Sequence, residues 1–256
     1  MVSNRNRILD AVNYIESCGV SVNIGKNKAR GNKGFFKAAG DSFRIDIAKG
    51  QNEDDIMRIL AHEFAHYVHY QYDRTLSDLG FIFNDDEDIT EELIKVTVST
   101  IPKKTVEPLF LLKENLTTEI KCLKSNLKAK NLDYKQLEAS IKKTPYKYLL
   151  KYDKVRVKEI FREKVYSIDS MPDETDEYLY LKLLSKKRML KRLTAKISRL
   201  NKYYNSQTEL FARSFELYVM ERKRLEELSP KLYNFYEDLM KTDKIPFLIK
   251  FVKNLI

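Results

Sequence analysis

Cysteine is scarce in this chain: Cys18 and Cys122 stand far apart, with no CxxC and no repeated spacing. That excludes a disulfide framework and a cysteine-built metal site, and leaves both as ordinary reduced thiols. Long apolar runs are missing as well, and no stretch approaches the roughly 20 residues that a membrane span requires. The amino terminus, Met1-Val2-Ser3-Asn4-Arg5-Asn6-Arg7, leads into an amphipathic segment in place of a secretory core. These absences predict a cytoplasmic protein with no membrane partner. No repeat of fixed length is visible, and compositional bias is limited to lysine. Histidine numbers three, and all three fall within residues 62–69.

What the chain does have is enough apolar material for a core, 43% over 256 residues, which fits one large domain or two small ones. Its net charge of +10 is unevenly placed. Residues 101–205 hold 26 Lys and Arg against 13 Asp and Glu, while the remainder holds 21 against 24. Such a surplus can dock on nucleic acid or on an acidic protein. It can equally be a solvated helical face, because the lysines follow amphipathic patterns and alternate with acids.

The histidines lie in Ala61-His62-Glu63-Phe64-Ala65-His66-Tyr67-Val68-His69. His62-Glu63-Phe64-Ala65-His66 is the HExxH pattern of zinc-dependent hydrolases, which a chain of this length contains by accident roughly one time in a hundred. Residues four apart share one helix face, so both imidazoles can reach a single ion. Glu63 then stands beside the ion, free to take a proton from an ion-activated water. Ile56, Ile59, Leu60, Phe64, Tyr67 and Val68 recur at helical spacing, and Asn52 with Glu53, Asp54 and Asp55 forms a helix start, which predicts one buried helix over residues 52–73. The alternative is a core helix whose histidines merely satisfy hydrogen bonds.

Ahead of that helix, Ile8, Leu9, Val12 and Ile15 predict a helix over 5–17, stopped by Gly19. Residues 20–24 and 43–48 read as strands, with a connection containing Gly25, Gly31, Gly34 and Gly40, inside which Phe35 and Phe36 can form another short strand. The acidic run Asp85-Asp86-Glu87-Asp88 lacks the glycine and spaced ligands of a calcium loop and reads as the start of a helix over 88–100, which Pro102 ends. From 108 to 202 the pattern predicts three or four helices, broken near Asn131, Thr144-Pro145 and Ser170-Met171-Pro172. Residues 179–200 are strongly amphipathic and can pair with 109–127 as a helical hairpin or form an ordinary bundle wall.

A catalytic zinc takes three protein ligands, so His62 and His66 need a partner. His69 shares their face but lies about 4.5 Å further along the axis than His66. With no other histidine present, a carboxylate is required, and the best candidate opens the segment Glu209-Leu210-Phe211-Ala212-Arg213-Ser214-Phe215-Glu216. There Phe211, Phe215 and Val219 can pack the helix against the first and bring Glu209 over the histidines. A first-turn acid favoured by the helix dipole is the competing explanation of Glu209.

At this point the chain resembles the gluzincins, in which HExxH is completed by a glutamate on a later helix. The run from Glu209 to Phe215 looks like the E-x-F-A-x-x-F helix of lethal-factor-like peptidases and of zincin domains in large phage and conjugative-element proteins. Leu228-Ser229-Pro230-Lys231-Leu232-Tyr233 is similar to the segment that follows it. The resemblance covers about residues 43–75 and 200–240. It implies zinc as cofactor, His62, His66 and Glu209 as its ligands, and Glu63 as the base. It further implies a tyrosine shortly before the glutamate, Tyr203 or its neighbour Tyr204, as a stabiliser of the oxyanion. A second, looser resemblance joins residues 46–66 to the small ImmA/IrrE-like peptidases, and implies the same chemistry.

The expectation is an α+β, mainly helical protein with a zincin-like core. Residues 1–102 would hold a small sheet and the HExxH helix, 103–202 a basic helical insertion, and 203–256 the second half of the core with the third ligand. Its function would be zinc-dependent hydrolysis of peptide bonds in a protein substrate, with Ile45-Asp46-Ile47 as the edge strand along which an extended substrate lies. The rival is a zincin-like binding or regulatory protein that uses residues 103–202 to hold nucleic acid or a protein partner. A third possibility combines the two, with the helices delivering one substrate to the peptidase.

Overall fold

The computed structural model describes residues 4–26, 32–83, 87–101, 103–159, 162–172 and 175–255. The protein is mainly helical with a small sheet, and divides into two compact units, Met1–Ile101 with Asn201–Ile256, and Pro102–Leu200. Among the described residues no helix is long and apolar enough to cross a membrane.

The first unit begins with α1 (Asn4–Ser17), which buries Ile8, Ala11 and Ile15. Gly19, at φ 82°, then turns the chain into β1 (Val20–Lys26). Residues 27–31, including Gly31 of the expected connection, lie outside the described residues. β2 (Gly34–Ala39) and β3 (Ser42–Ala48) form a hairpin around Gly40, whose φ of 59° suits the tight turn. The short strand expected at Phe35 and Phe36 is therefore a full strand. Strand order is β1-β3-β2, with β1 parallel and β2 antiparallel to β3.

This order corrects the expected edge: Ile45, Asp46 and Ile47 occupy the central strand. Asn23 stands opposite Asp46 on β1 and Phe35 opposite it on β2, so its backbone is flanked on both sides. Ile45 and Ile47 enter the core, while Asp46 is held by Asn23 at 3.1 Å and Arg44 at 3.0 Å. The edge strand next to the second helix is β2.

That helix, α2 (Glu53–Tyr72), starts at Asn52, whose side chain accepts from the Asp55 amide at 2.7 Å, and it carries three acids in its first turn. Both features offset the unpaired amides and positive end of the helix. α3 (Gly80–Phe83) and α4 (Glu87–Thr100) follow. Asp85, Asp86 and Pro102 lie outside the described residues.

The second unit contains α5 (Lys103–Ala129), α6 (Tyr134–Lys142), a 3-10 helix (Pro145–Leu150), β4 (Lys154–Glu159), β5 (Arg162–Ser167) and the greater part of α7 (Asp176–Tyr204). α5 and α7 pair as an antiparallel hairpin: Ile120, Leu123 and Leu127 cluster with Tyr180, Leu181 and Leu183, and Leu116 with Leu193 and Ile197. Lys186 to Glu119 at 2.6 Å joins their outer faces. The antiparallel ribbon β4–β5 stands within a stretch whose pattern predicts helices alone.

Back in the first unit, α8 (Gln207–Met220) lies against α2, and α9 (Arg222–Leu228), α10 (Pro230–Leu239) and α11 (Pro246–Lys253) complete the shell. One apolar core runs through it, with Phe64 of α2, Phe211 and Phe215 of α8, Tyr236 of α10 and Phe251 of α11 fully buried. Packing of this density fixes α2 against α8, and so fixes which side chains meet between them.

Candidate metal centre

α2 and α8 bring His62, His66 and Glu209 into one buried group that could hold a metal ion. The His62 and His66 Nε2 atoms stand 3.2 Å apart. Glu209 Oε2 lies 3.5 Å from His62 Nε2, and Glu209 Oε1 lies 3.3 Å from His66 Nε2. An ion held tetrahedrally by bonds of about 2.0–2.1 Å separates its ligand atoms by about 3.3–3.4 Å, so this spacing suits a small divalent cation. Glu209 Oε2 is buried without a hydrogen-bond partner, as an oxygen reserved for an ion would be.

The far nitrogen of each ring is also occupied. His62 Nδ1 meets Glu216 Oε2 at 3.1 Å, and His66 Nδ1 meets Thr208 Oγ1 at 2.7 Å. An ionised carboxylate only accepts, so His62 carries its hydrogen on Nδ1 and its Nε2 is turned to the cluster. Glu216 is held in turn by Arg213 at 3.3 Å, while Arg58 approaches it at 3.9 Å and also pairs with Glu221.

Charge distribution follows from this crowding. Burial disfavours the His62 imidazolium, but the Glu209 and Glu216 carboxylates that would accept from it outweigh that cost and lift its pKa to about 9. Burial likewise opposes ionisation of Glu209 and Glu216, yet His62 and His66 hold Glu209, and His62, Arg213 and Arg58 hold Glu216, below the usual carboxylate range. The cluster is thus electrostatically set for a positive charge at its centre. A proton supplies that charge in part, and a divalent cation that displaced it would supply more.

Glu63 is buried beside the cluster on α2 and is not a member of the group of potential ligands. Its Oε2 accepts from the Phe36 amide of β2 at 2.8 Å. Two residues earlier on β2, glycine permits the close approach: a Cβ on Gly34 would fall 2.2 Å from Ile59 Cγ2 and 2.9 Å from Glu63 Oε1, and those side chains would have to shift. The arrangement therefore places a fixed carboxylate, able to accept a proton, next to two imidazoles and a second carboxylate.

Tyr203 is 47% exposed and stands close enough to the cluster to feel its carboxylates. Partial burial, with the charge of Glu209, its hydrogen bond and the charge of Glu63, pushes the pKa above the ordinary tyrosine range. The hydroxyl remains a donor at any physiological pH. Tyr204 packs its ring on Tyr203 at 5.2 Å.

His69 has a different setting. Its Nε2 donates to the Asp78 carbonyl at 2.8 Å, its ring packs on Phe211, and burial lowers its pKa. It braces the end of α2 and stands outside the cluster of potential ligands.

Four partners of the site, Glu216, Thr208, Arg213 and Gly34, are absent from the sequence-based candidates. Glu216 lies two helical turns beyond Glu209 and so on the same face, a spacing that is the one signal of it in the sequence. No protein-family model, curated protein or solved structure matches the chain. A functional reading therefore rests on these residues and their geometry.

Proposed function

We propose that the protein is a zinc-dependent metallopeptidase of the gluzincin kind, with a zincin-like core formed by its first unit. The observation that carries this reading is the convergence of His62, His66 and Glu209 within ligand-to-ligand distance, with the Glu63 carboxylate fixed beside them. Two imidazole nitrogens and one carboxylate oxygen form the donor set of a catalytic zinc, with one position left for water or substrate. When bound, zinc would supply Lewis acidity to a peptide carbonyl and acidify a water molecule.

The residues of the chain perform the remaining work. Glu63 takes the proton from the attacking water and returns it to the departing amine, and the Phe36 amide holds one of its oxygens in place. Tyr203 donates its hydroxyl to the oxygen on which negative charge develops. Glu216 and Thr208 keep the imidazole planes aimed at the ion. An extended substrate adds along the outer edge of β2, which reaches Glu63 directly, in place of the central β3. Free thiols at Cys18 and Cys122 suit work in the reducing cytoplasm.

Glu63→Gln tests the reading. The variant keeps its metal and loses about 100- to 10,000-fold in hydrolysis of a fluorogenic peptide library. Undiminished hydrolysis by that variant contradicts the assignment of the base.

A further inference from the structure

The second unit carries a surface that the metal site does not use. Residues 142–164 hold nine Lys and Arg against three Asp and Glu. One of those acids, Asp153, is already neutralised by Arg188 at 2.8 Å and Arg192 at 2.6 Å. Within the ribbon, alternation puts Lys154, Arg156 and Lys158 on one face and Val155 and Val157 on the other. The 3-10 helix covers the valine face, where Tyr146 meets Tyr166 edge-on. All three cations are exposed on the opposite face. Among the described residues no carboxylate lies within ion-pair distance of Lys154 or Lys158, and Arg156 meets Glu163 at 3.5 Å with both side chains more than half exposed.

Alternate strand residues stand about 6.6 Å apart, so the three cations form a row whose spacing suits successive phosphates of an extended strand. Immediately before the row, Tyr152 is 59% exposed, and its amide bonds to the carbonyl of Tyr148, which is itself 38% exposed. Lys147 lies over the Tyr148 ring at 5.2 Å, which leaves Tyr152 as the open ring next to the row. A cation row beside an open aromatic ring is what an unpaired nucleic acid strand engages, its phosphates on the row and a base on the ring. An acidic peptide would match the cations and leave the ring without a partner. We propose that the β4–β5 ribbon binds single-stranded nucleic acid along its outer face, with Tyr152 as a stacking platform.

The test is fluorescence anisotropy of a labelled single-stranded oligonucleotide of about 20 nucleotides with the full chain, over a salt series starting near 50 mM. The expected result is binding that weakens steeply with salt. The triple substitution Lys154→Ala, Arg156→Ala, Lys158→Ala should weaken it at least about tenfold and reduce the salt slope by about two to three. An equal charge loss on α5, Lys121→Ala, Lys124→Ala, Lys128→Ala, should change it less than about threefold, and Tyr152→Ala should weaken it about fivefold or more. Unchanged circular dichroism checks that each variant is folded. The proposal is overturned if the parent fails to bind near 50 mM salt, or if both triple variants weaken equally. It is also overturned if polyglutamate of equal charge displaces the strand as well as unlabelled oligonucleotide does, or if a duplex of the same sequence binds more tightly while Tyr152→Ala has no effect.

Discussion

Glu216 is the residue on which the geometry of the histidines most depends, because it accepts from His62 Nδ1 and is itself held by Arg213. Glu216→Gln keeps the shape but weakens that acceptor, and metal affinity should fall about 10- to 100-fold. Competition against a chromophoric chelator measures this, and an unchanged affinity would show that His62 is oriented by packing alone. Gly34 acts through space instead of charge. A methyl group there meets Ile59 and the Glu63 carboxylate, so Gly34→Ala should destabilise the fold by about 1–3 kcal/mol while leaving the metal ligands in place. Thermal unfolding beside metal content separates those effects; an undiminished melting temperature would mean that β2 can move away from α2.

Among the elements, the 3-10 helix is tied to α7 through one ionic clasp. Arg188 donates to the Leu149 and Leu150 carbonyls and to Asp153, which also accepts from Arg192. Burial raises the Asp153 pKa, but Arg192 and Arg188 outweigh it and the net shift is downward. A depressed carboxyl contributes stability above its unfolded pKa of about 3.9 and loses it as pH falls through the lower folded value. Asp153→Ala should therefore cost about 1–2 kcal/mol at neutral pH, with the difference from the parent shrinking at a pH well below the unfolded value of about 3.9. Urea unfolding at both pH values checks it, and a penalty independent of pH would exclude the clasp as its cause.

The same elements show where sequence reading reaches and where it stops. α2 is legible because its cap, its first-turn acids and its apolar period agree on one helix, and its spacing alone pairs His62 with His66. Glu209 is legible by the chemistry of an incomplete ligand set. The place of β3 is not, because strand order depends on which partner each strand finds and β1 joins from the far side by parallel pairing. The β4–β5 ribbon escaped for a different reason: Lys154-Val155-Arg156-Val157-Lys158 does alternate, but it is short and lies among strong helical patterns.

At the scale of the whole molecule, the candidate centre unites two distant parts of the chain, α2 before the second unit in sequence and α8 after it, within one compact unit and one apolar core. Loop closure over so long an insertion costs free energy only slowly with length, so a complete unit can lie between two halves of another. The second unit can thus carry a separate binding activity without disturbing the ligand set. The proposed function requires that His62, His66 and Glu209 hold zinc. Elemental mass spectrometry of the purified protein, beside His66→Ala and Glu209→Ala, reads this out. About one zinc per chain in the parent and loss of zinc from both variants are expected. A parent that stays free of zinc after reconstitution, or variants that retain it in full, would rule out a zinc site built from these three residues.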